Sequence, residues 1–266
     1  MESTNWLRQT PGKPLFPDLL WSRPENKRQA GKLLIVGGSG HGFAAPASAF
    51  AAAQKAGIGS ARVLLPDAVQ KTIGTSFAEA VFAPSTPSGS FSRQALAELL
   101  ENADWSDGVL LAGDFGRNSE TAILLETFLQ KYSGQITLAG DSLDYFLSKG
   151  SKALERPETT FVINLGKLQK IAKNNRPGTA ILHNMSLHEL IVVMNDWTNS
   201  TPAAFLTKHA ENLIASVAGK SSTTPDKTDD NWQTDLAAYT SVWQLQHPRR
   251  IFESMTSSVY EFADAA

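Results

Sequence analysis

Short apolar runs alternate with stretches of helical spacing along most of the chain. Residues 33–36 form the first run, the pattern of a buried strand. It breaks into Gly37, Gly38, Gly40 and Gly42, and the alanine-rich residues 44–56 then read as a helix. Residues 61–66 predict a second strand and 67–73 a short helix. The polar, proline-containing stretch 84–92 predicts a surface loop. Residues 94–103 carry Leu96, Leu99 and Leu100 at helical spacing. A third strand is expected at 108–112. A helix then runs over 119–132 with Ile123, Leu124, Phe128 and Leu129 turned inward. Residues 135–139 predict a fourth strand, followed by Gly140 and a short helix, and 160–163 a fifth strand leading into a helix at 165–173.

The pattern is less regular in the last third. The spacing predicts a strand at 178–182 and a helix at 186–193, with Ser186 as N-cap and Glu189 completing a capping box. It predicts a further helix at 201–209, a strand at 213–217 and a polar loop at 219–230. A strong helix follows at 234–246, with Leu236, Tyr239, Val242, Trp243 and Leu245 facing the core. After Pro248 comes a final helix at 251–262. At the other end, Pro11, Pro14, Pro17 and Pro24 preclude a long helix in residues 1–31. Leu15, Phe16, Leu19, Leu20 and Trp21 are nevertheless too apolar for a free tail. These residues predict an arm that packs on its own domain or on a neighbouring subunit, where it would support a homo-oligomer. Residues 32–266 are then one domain.

Strands alternating with helices argue an α/β fold with a largely parallel sheet covered on both faces. In such sheets ligands lie beyond the carboxyl ends of the strands. Three glycine-bearing turns, 37–42, 113–116 and the one at Gly140, should open onto that edge and line a cleft. A strand that turns through glycines into a helix can bring backbone N–H groups to an anion. For residues 37–42 both a ligand role and a purely structural turn are open.

Composition narrows the chemistry. The 266 residues contain no cysteine, which excludes disulfides, thiolate metal sites and cysteine nucleophiles. A net charge of −2 gives no reason to expect a nucleic-acid binder. No apolar run reaches membrane-spanning length and no basic-then-apolar leader opens the chain, so a cytoplasmic protein is the default expectation. Of five histidines only His183 and His188 lie close together, at a spacing that does not share a helical face, and no metal site is expected from them. Common phosphate motifs do not fit residues 37–42. Gly42 is followed by Phe43 rather than by Lys and Ser/Thr, and Gly38-Ser-Gly40-His-Gly42 is one residue short of the dinucleotide fingerprint.

The motifs taken together resemble the ribokinase-like fold, a three-layer α/β/α architecture, and within it the ATP- or ADP-dependent NAD(P)H-hydrate dehydratases. Gly37-Gly38-Ser39, Phe43, Ala44-Ala45-Pro46, Gly57-Ile58-Gly59 and residues 63–66 follow that family's opening plan. Ala112-Gly113-Asp114-Phe115-Gly116-Arg117 is similar to its Gly-Pro-Gly-Leu-Gly-Arg turn. Residues 138–143 are similar to its acidic strand end, with Asp141 retained. Two segments depart. The fifth strand is followed by Ile163-Asn-Leu-Gly-Lys-Leu168, without the family's histidine and glutamate. Near the C-terminus Gln233 and Thr234 replace the glycines of a Gly-Thr-Gly-Asp turn, while Asp235 matches its aspartate.

The resemblance implies a nucleotide-dependent dehydration of hydrated NAD(P)H, with ATP or ADP as donor and Mg²⁺ as a candidate ion. It implies Asp235 as catalytic base, Thr234 beside the nucleotide, and Gly37, Gly38, Ser39, Phe43, Gly113, Gly116 and Asp141 on the substrate side. Alternatives are a ligand-binding or assembly relative that lost the chemistry, and a small-molecule kinase. Asp235 also fits a plain first-turn acid favoured by the helix dipole, with Thr234 as N-cap, and Asp141 a strand-end cap. His41 and Lys220 could touch a phosphate or be solvated loop residues, and Asp229-Asp230 could recruit Mg²⁺ or be loop charge.

Overall fold

The computed structural model describes residues 5–74, 76–176, 180–226 and 232–265. Ten strands form one sheet: β1 (Trp6–Arg8), β2 (Lys32–Gly37), β3 (Ser60–Pro66), β4 (Ala80–Ala83), β5 (Gly108–Gly113), β6 (Gln135–Leu138), β7 (Thr159–Val162), β8 (Ala204–His209), β9 (Asn212–Val217) and β10 (Lys220–Pro225). Their spatial order is β1-β10-β9-β8-β7-β6-β5-β2-β3-β4. Every neighbouring pair from β4 through to β8 is parallel. β9 runs antiparallel to both β8 and β10, so β10 again points with the others, and β1 joins it in parallel. The helices are α1 (Pro17–Trp21), α2 (Ala44–Lys55), α3 (Gln70–Ile73), α4 (Leu96–Trp105), α5 (Ser119–Lys131), α6 (Lys152–Glu155), α7 (Leu165–Asn175), α8 (Leu187–Ser200), α9 (Trp232–Gln246) and α10 (Ile251–Ala265).

The sheet is buried on both faces, and this explains its continuous apolar runs. Successive side chains of a strand point to opposite faces. In β2, Leu34 and Val36 enter one core with Phe128 of α5, Leu168 of α7 and Met194 of α8. Leu33 and Ile35 enter a second core with Ala49 of α2, Leu236 and Val242 of α9 and Met255 of α10. The three-layer α/β/α arrangement with a largely parallel sheet is the one expected.

Several elements differ from their sequence patterns. Residues 204–209 are a strand, not part of a helix. Phe205 and Leu206 each enter a different core, as the alternation in a central strand requires. Residues 220–225 are also a strand, although they read as a polar loop. Their hydroxyls find partners on neighbouring elements: Ser221 bonds Ser216 of β9 at 2.6 Å and Ser222 bonds Thr256 of α10 at 2.7 Å, so Ser and Thr can be buried here. Asp229 and Asp230 lie outside the described residues. Of the strand expected at 178–182, residues 180–182 are irregular, and 178 and 179 lie outside the described residues. On α5, Leu125 is buried and Ile123 is half-exposed, the reverse of the expected facing at Ile123. The capping box at Ser186 and Glu189 is present as predicted.

Residues 5–30 run over the chain's own surface. β1 extends the sheet beside β10. The Gln9 side chain, fully buried, donates to Thr224 Oγ1 at 2.8 Å and to the Thr256 carbonyl at 3.0 Å. Leu19 is buried, and Phe16 meets Phe252 of α10 edge-on. Asp18 pairs with Arg250, and Arg23 pairs with Glu261. Trp21, by contrast, is 88% exposed.

Candidate functional site at the carboxyl ends of β2, β5 and β6

β2, β5 and β6 are adjacent, and their carboxyl ends carry the three predicted glycine turns. The backbones there approach too closely for side chains. A Cβ on Gly37 would stand 2.3 Å from the Gly113 carbonyl oxygen, and one on Gly140, whose φ is +62°, would stand 2.8 Å from that of Ala112. Above this crossing lies a cavity of about 540 Å³. Its walls are Ala44, Ala45 and Ser48 of α2, Gly113 and Asp114 after β5, Gly140 and Asp141 after β6, and Gln233 and Thr234 of α9.

The turn over residues 37–42 is tied down by its own amides. Gly38 N–H donates to the Gly113 carbonyl at 2.9 Å, and Gly40 N–H to that of Gly89 at 2.8 Å. Ser39 and Gly42 exchange N–H···O bonds of 2.9 and 3.0 Å. These four donors are therefore spent on protein carbonyls. Ser39 is buried, Phe43 sits half-buried just before α2, and His41 is exposed at the tip. The turn packs beneath the Gly113 wall of the cavity.

Two acids line the cavity, and a third stands behind Ser48. Asp114 adopts φ +62°, and its carboxylate accepts from Ala45 N–H at 2.7 Å, which caps the first turn of α2. Asp141 accepts Phe115 N–H at 3.2 Å through Oδ1 and Gly116 N–H at 2.9 Å through Oδ2. Burial pushes the Asp141 carboxyl above the usual aspartate range; the two amides oppose this shift. Asp235, in the first turn of α9, accepts from the Ser48 hydroxyl and so joins α9 to α2. Beside it, Gln233 Nε2 donates to the Val162 carbonyl at the end of β7, at 3.3 Å. From α7, Lys167 Nζ donates to the Gly140 carbonyl at 2.8 Å and pairs with Asp144 at 3.1 Å, which pins the turn after β6.

Of the sequence candidates, Gly113, Asp141 and Thr234 line this cavity together. Gly37 and Gly38 lie beneath it, and Asp235 is linked to it through Ser48. Gly116 borders a second cavity, of about 660 Å³, that shares Asp141 with the first. Lys220 begins β10, which runs parallel to β8, so it lies at the opposite edge of the sheet from the cleft. Sequence reasoning passed over Ser48, Asp114 and Lys167. A serine in an alanine-rich helix, four residues after Ala44, and an acid inside a Gly-x-x-Gly turn were the signals for the first two. Lys167 carried none, because its contact depends on how α7 docks. Among the described residues no group of three His, Asp or Glu side chains could hold a metal.

No protein-family model matches the chain, and no curated protein matches its sequence. Solved structures do match its shape. A ribokinase-like superfamily protein from Enterococcus faecalis V583 superposes with a TM-score of 0.73 at 14% identity, covering 99% of this chain and 88% of that one. The fold is ribokinase-like. ADP/ATP-dependent NAD(P)H-hydrate dehydratase from Bacillus subtilis, co-crystallised with ATP/Mg²⁺, matches with a TM-score of 0.65 at 11% identity over 94% of this chain and 87% of that one. Phosphomethylpyrimidine kinase from Clostridium difficile 630 matches with a TM-score of 0.57 at 10% identity over 86% and 98%. At such identities the likeness establishes the ribokinase-like fold and leaves the chemistry to the residues. No helix among the described residues is long and apolar enough to cross a membrane.

Proposed function

We propose that the chain is a nucleotide-dependent enzyme of the NAD(P)H-hydrate dehydratase kind, with Asp235 as its base. One juxtaposition supports this reading. The first turn of α9, carrying Thr234 and Asp235, closes the same cavity as the turns at Gly113, Gly140 and Asp141. In this reading ATP or ADP gives its terminal phosphoryl group to the hydroxyl of the hydrated nicotinamide ring, and Asp235 takes the hydroxyl proton. Phosphate then leaves with the C–O bonding pair while a proton departs from the neighbouring ring carbon, which restores NAD(P)H. Ser48 holds the Asp235 carboxylate in place. Gly37, Gly38, Ser39 and Phe43 support the substrate wall, Gly113 and Asp141 line it, and Gly116 borders the adjoining cavity. Any Mg²⁺ would arrive on the nucleotide's phosphates.

The test is an ATP- or ADP-dependent loss of hydrated NADH. The wild type should turn over. Asp235→Asn should lose roughly 10²–10⁴-fold in kcat while binding nucleotide unchanged, since a general base contributes on that scale. An inactive wild type that still binds nucleotide would favour the second reading, a ligand-binding relative without the chemistry. That reading draws on the spent amides of residues 37–42 and on Gln233 and Thr234 standing where glycines would form an anion nest.

A further inference from the structure

We infer that the cavity beyond Asp141 is an anion site for the pyrophosphate group of a nucleotide ligand. The inference rests on the proposed reading only in taking the first cavity as a nucleotide site. The second cavity, about 660 Å³, is bordered by Gly116, Arg117, Asp141, Asp144, Tyr145 and Lys170 among others. Its charges are unevenly spent. Asp144 is paired with Lys167, and both oxygens of Asp141 accept backbone amides. Tyr145 donates its hydroxyl proton to the Gly116 carbonyl at 2.6 Å. Arg117 and Lys170 have no such partner: among the described residues neither makes an ion pair or a side-chain hydrogen bond, and both are exposed.

Counted together, Arg117, Lys170 and Lys167 exceed Asp141 and Asp144 by one positive charge, and Arg117 and Lys170 are the donors left for a diphosphate to engage. Helical spacing supports the pairing. Lys170 lies three residues after Lys167 on α7, so the helix face that pins the turn after β6 also presents a second cation beside the cavity. The first cavity is different in kind. It offers a serine hydroxyl, a threonine hydroxyl, an amide and carboxylates, and no lysine or arginine lines it. Because the two cavities meet at Asp141, one ligand with a ring end and an anionic part can occupy both.

Calorimetric titration with inorganic pyrophosphate tests this directly. The wild type should bind it saturably, and more weakly as salt is raised. Arg117→Ala and Lys170→Ala should each weaken binding roughly tenfold, the scale of one charge-assisted hydrogen bond, and the double variant should bind none. Both side chains are exposed, so the variants should melt as the wild type does. Parallel titrations with NADPH and with ATP identify the source of the group, because the ligand that uses the site loses affinity in Arg117→Ala. The inference is overturned if the wild type shows no saturable pyrophosphate binding. It is equally overturned if the double variant binds like the wild type, or if Arg117→Ala affects neither nucleotide. A wild type that binds pyrophosphate through Arg117 and Lys170 but does not consume hydrated NADH leaves this site standing and removes the dehydratase reading alone.

Discussion

Single residues at the cleft carry opposing duties. Asp114 is a non-glycine residue in the left-handed region, held there because its carboxylate caps α2. Asp114→Ala removes the cap, at about 1 kcal/mol, and leaves alanine in a backbone region that costs it roughly 1–2 kcal/mol more. Asp114→Asn keeps an acceptor and tolerates the backbone, so urea unfolding should rank it close to wild type and well above the alanine variant. Asp141 makes a separate prediction. Burial raises its folded-state pKa, so between the ordinary aspartate range and that higher value the folded protein binds more protons than the unfolded chain. Stability from this residue is therefore present at low pH and falls as pH rises through the window. Unfolding midpoints of the wild type relative to Asp141→Asn should decline across that interval. A difference that stays flat with pH would show that Asp141 titrates normally.

At the scale of elements, the cleft exists because three strand ends cross at glycines. Gly37→Ala would drive a methyl group against the Gly113 carbonyl, where only backbone movement can relieve it. We expect a loss of about 1–3 kcal/mol in denaturant unfolding, the usual range for overpacking, together with weaker nucleotide binding as the Gly113 wall shifts. Ala substitution at Gly42, where a Cβ meets nothing within 4 Å, should leave both measurements near wild type. The parallel strands β2, β3, β5, β6 and β7 were legible as apolar runs bounded by turns. β8 and β10 were not. β8 carries Thr207, Lys208 and His209, whose polarity masks a central strand. β10 is almost all Ser and Thr, and it can be buried only because Ser216, Asn195 and Thr256 supply partners from elsewhere in the chain.

At the scale of the whole molecule, residues 5–30 complete one edge of the sheet and bind α10. Deleting residues 1–22 removes β1, the buried Leu19 and the Gln9 bonds, and it opens the edge of β10. The expected outcome is a lower melting temperature with no change in the number of subunits read by light scattering. A fall in the number of subunits with an unchanged melting temperature would instead make the arm an oligomerisation element, with the exposed Trp21 as its first suspect. The candidate site is likewise a property of the whole chain, since its walls come from residues near positions 45, 113, 141 and 234.

The order of apolar runs, the glycine turns and the helical spacings belong to local sequence. They sufficed for the α/β class, the parallel sheet and the edge where a cleft must lie. Local pattern could not reveal which donors remain free. The amides of residues 38, 39, 40 and 42 looked available until Gly89 and Gly113, far along the chain, were seen to take two of them. Nor could it pair Ser48 with Asp235, dock Lys167 onto Gly140, or leave Arg117 and Lys170 unmatched. Those outcomes depend on distances between segments separated by tens to hundreds of residues, which only the packing of α2, α7 and α9 on the sheet decides.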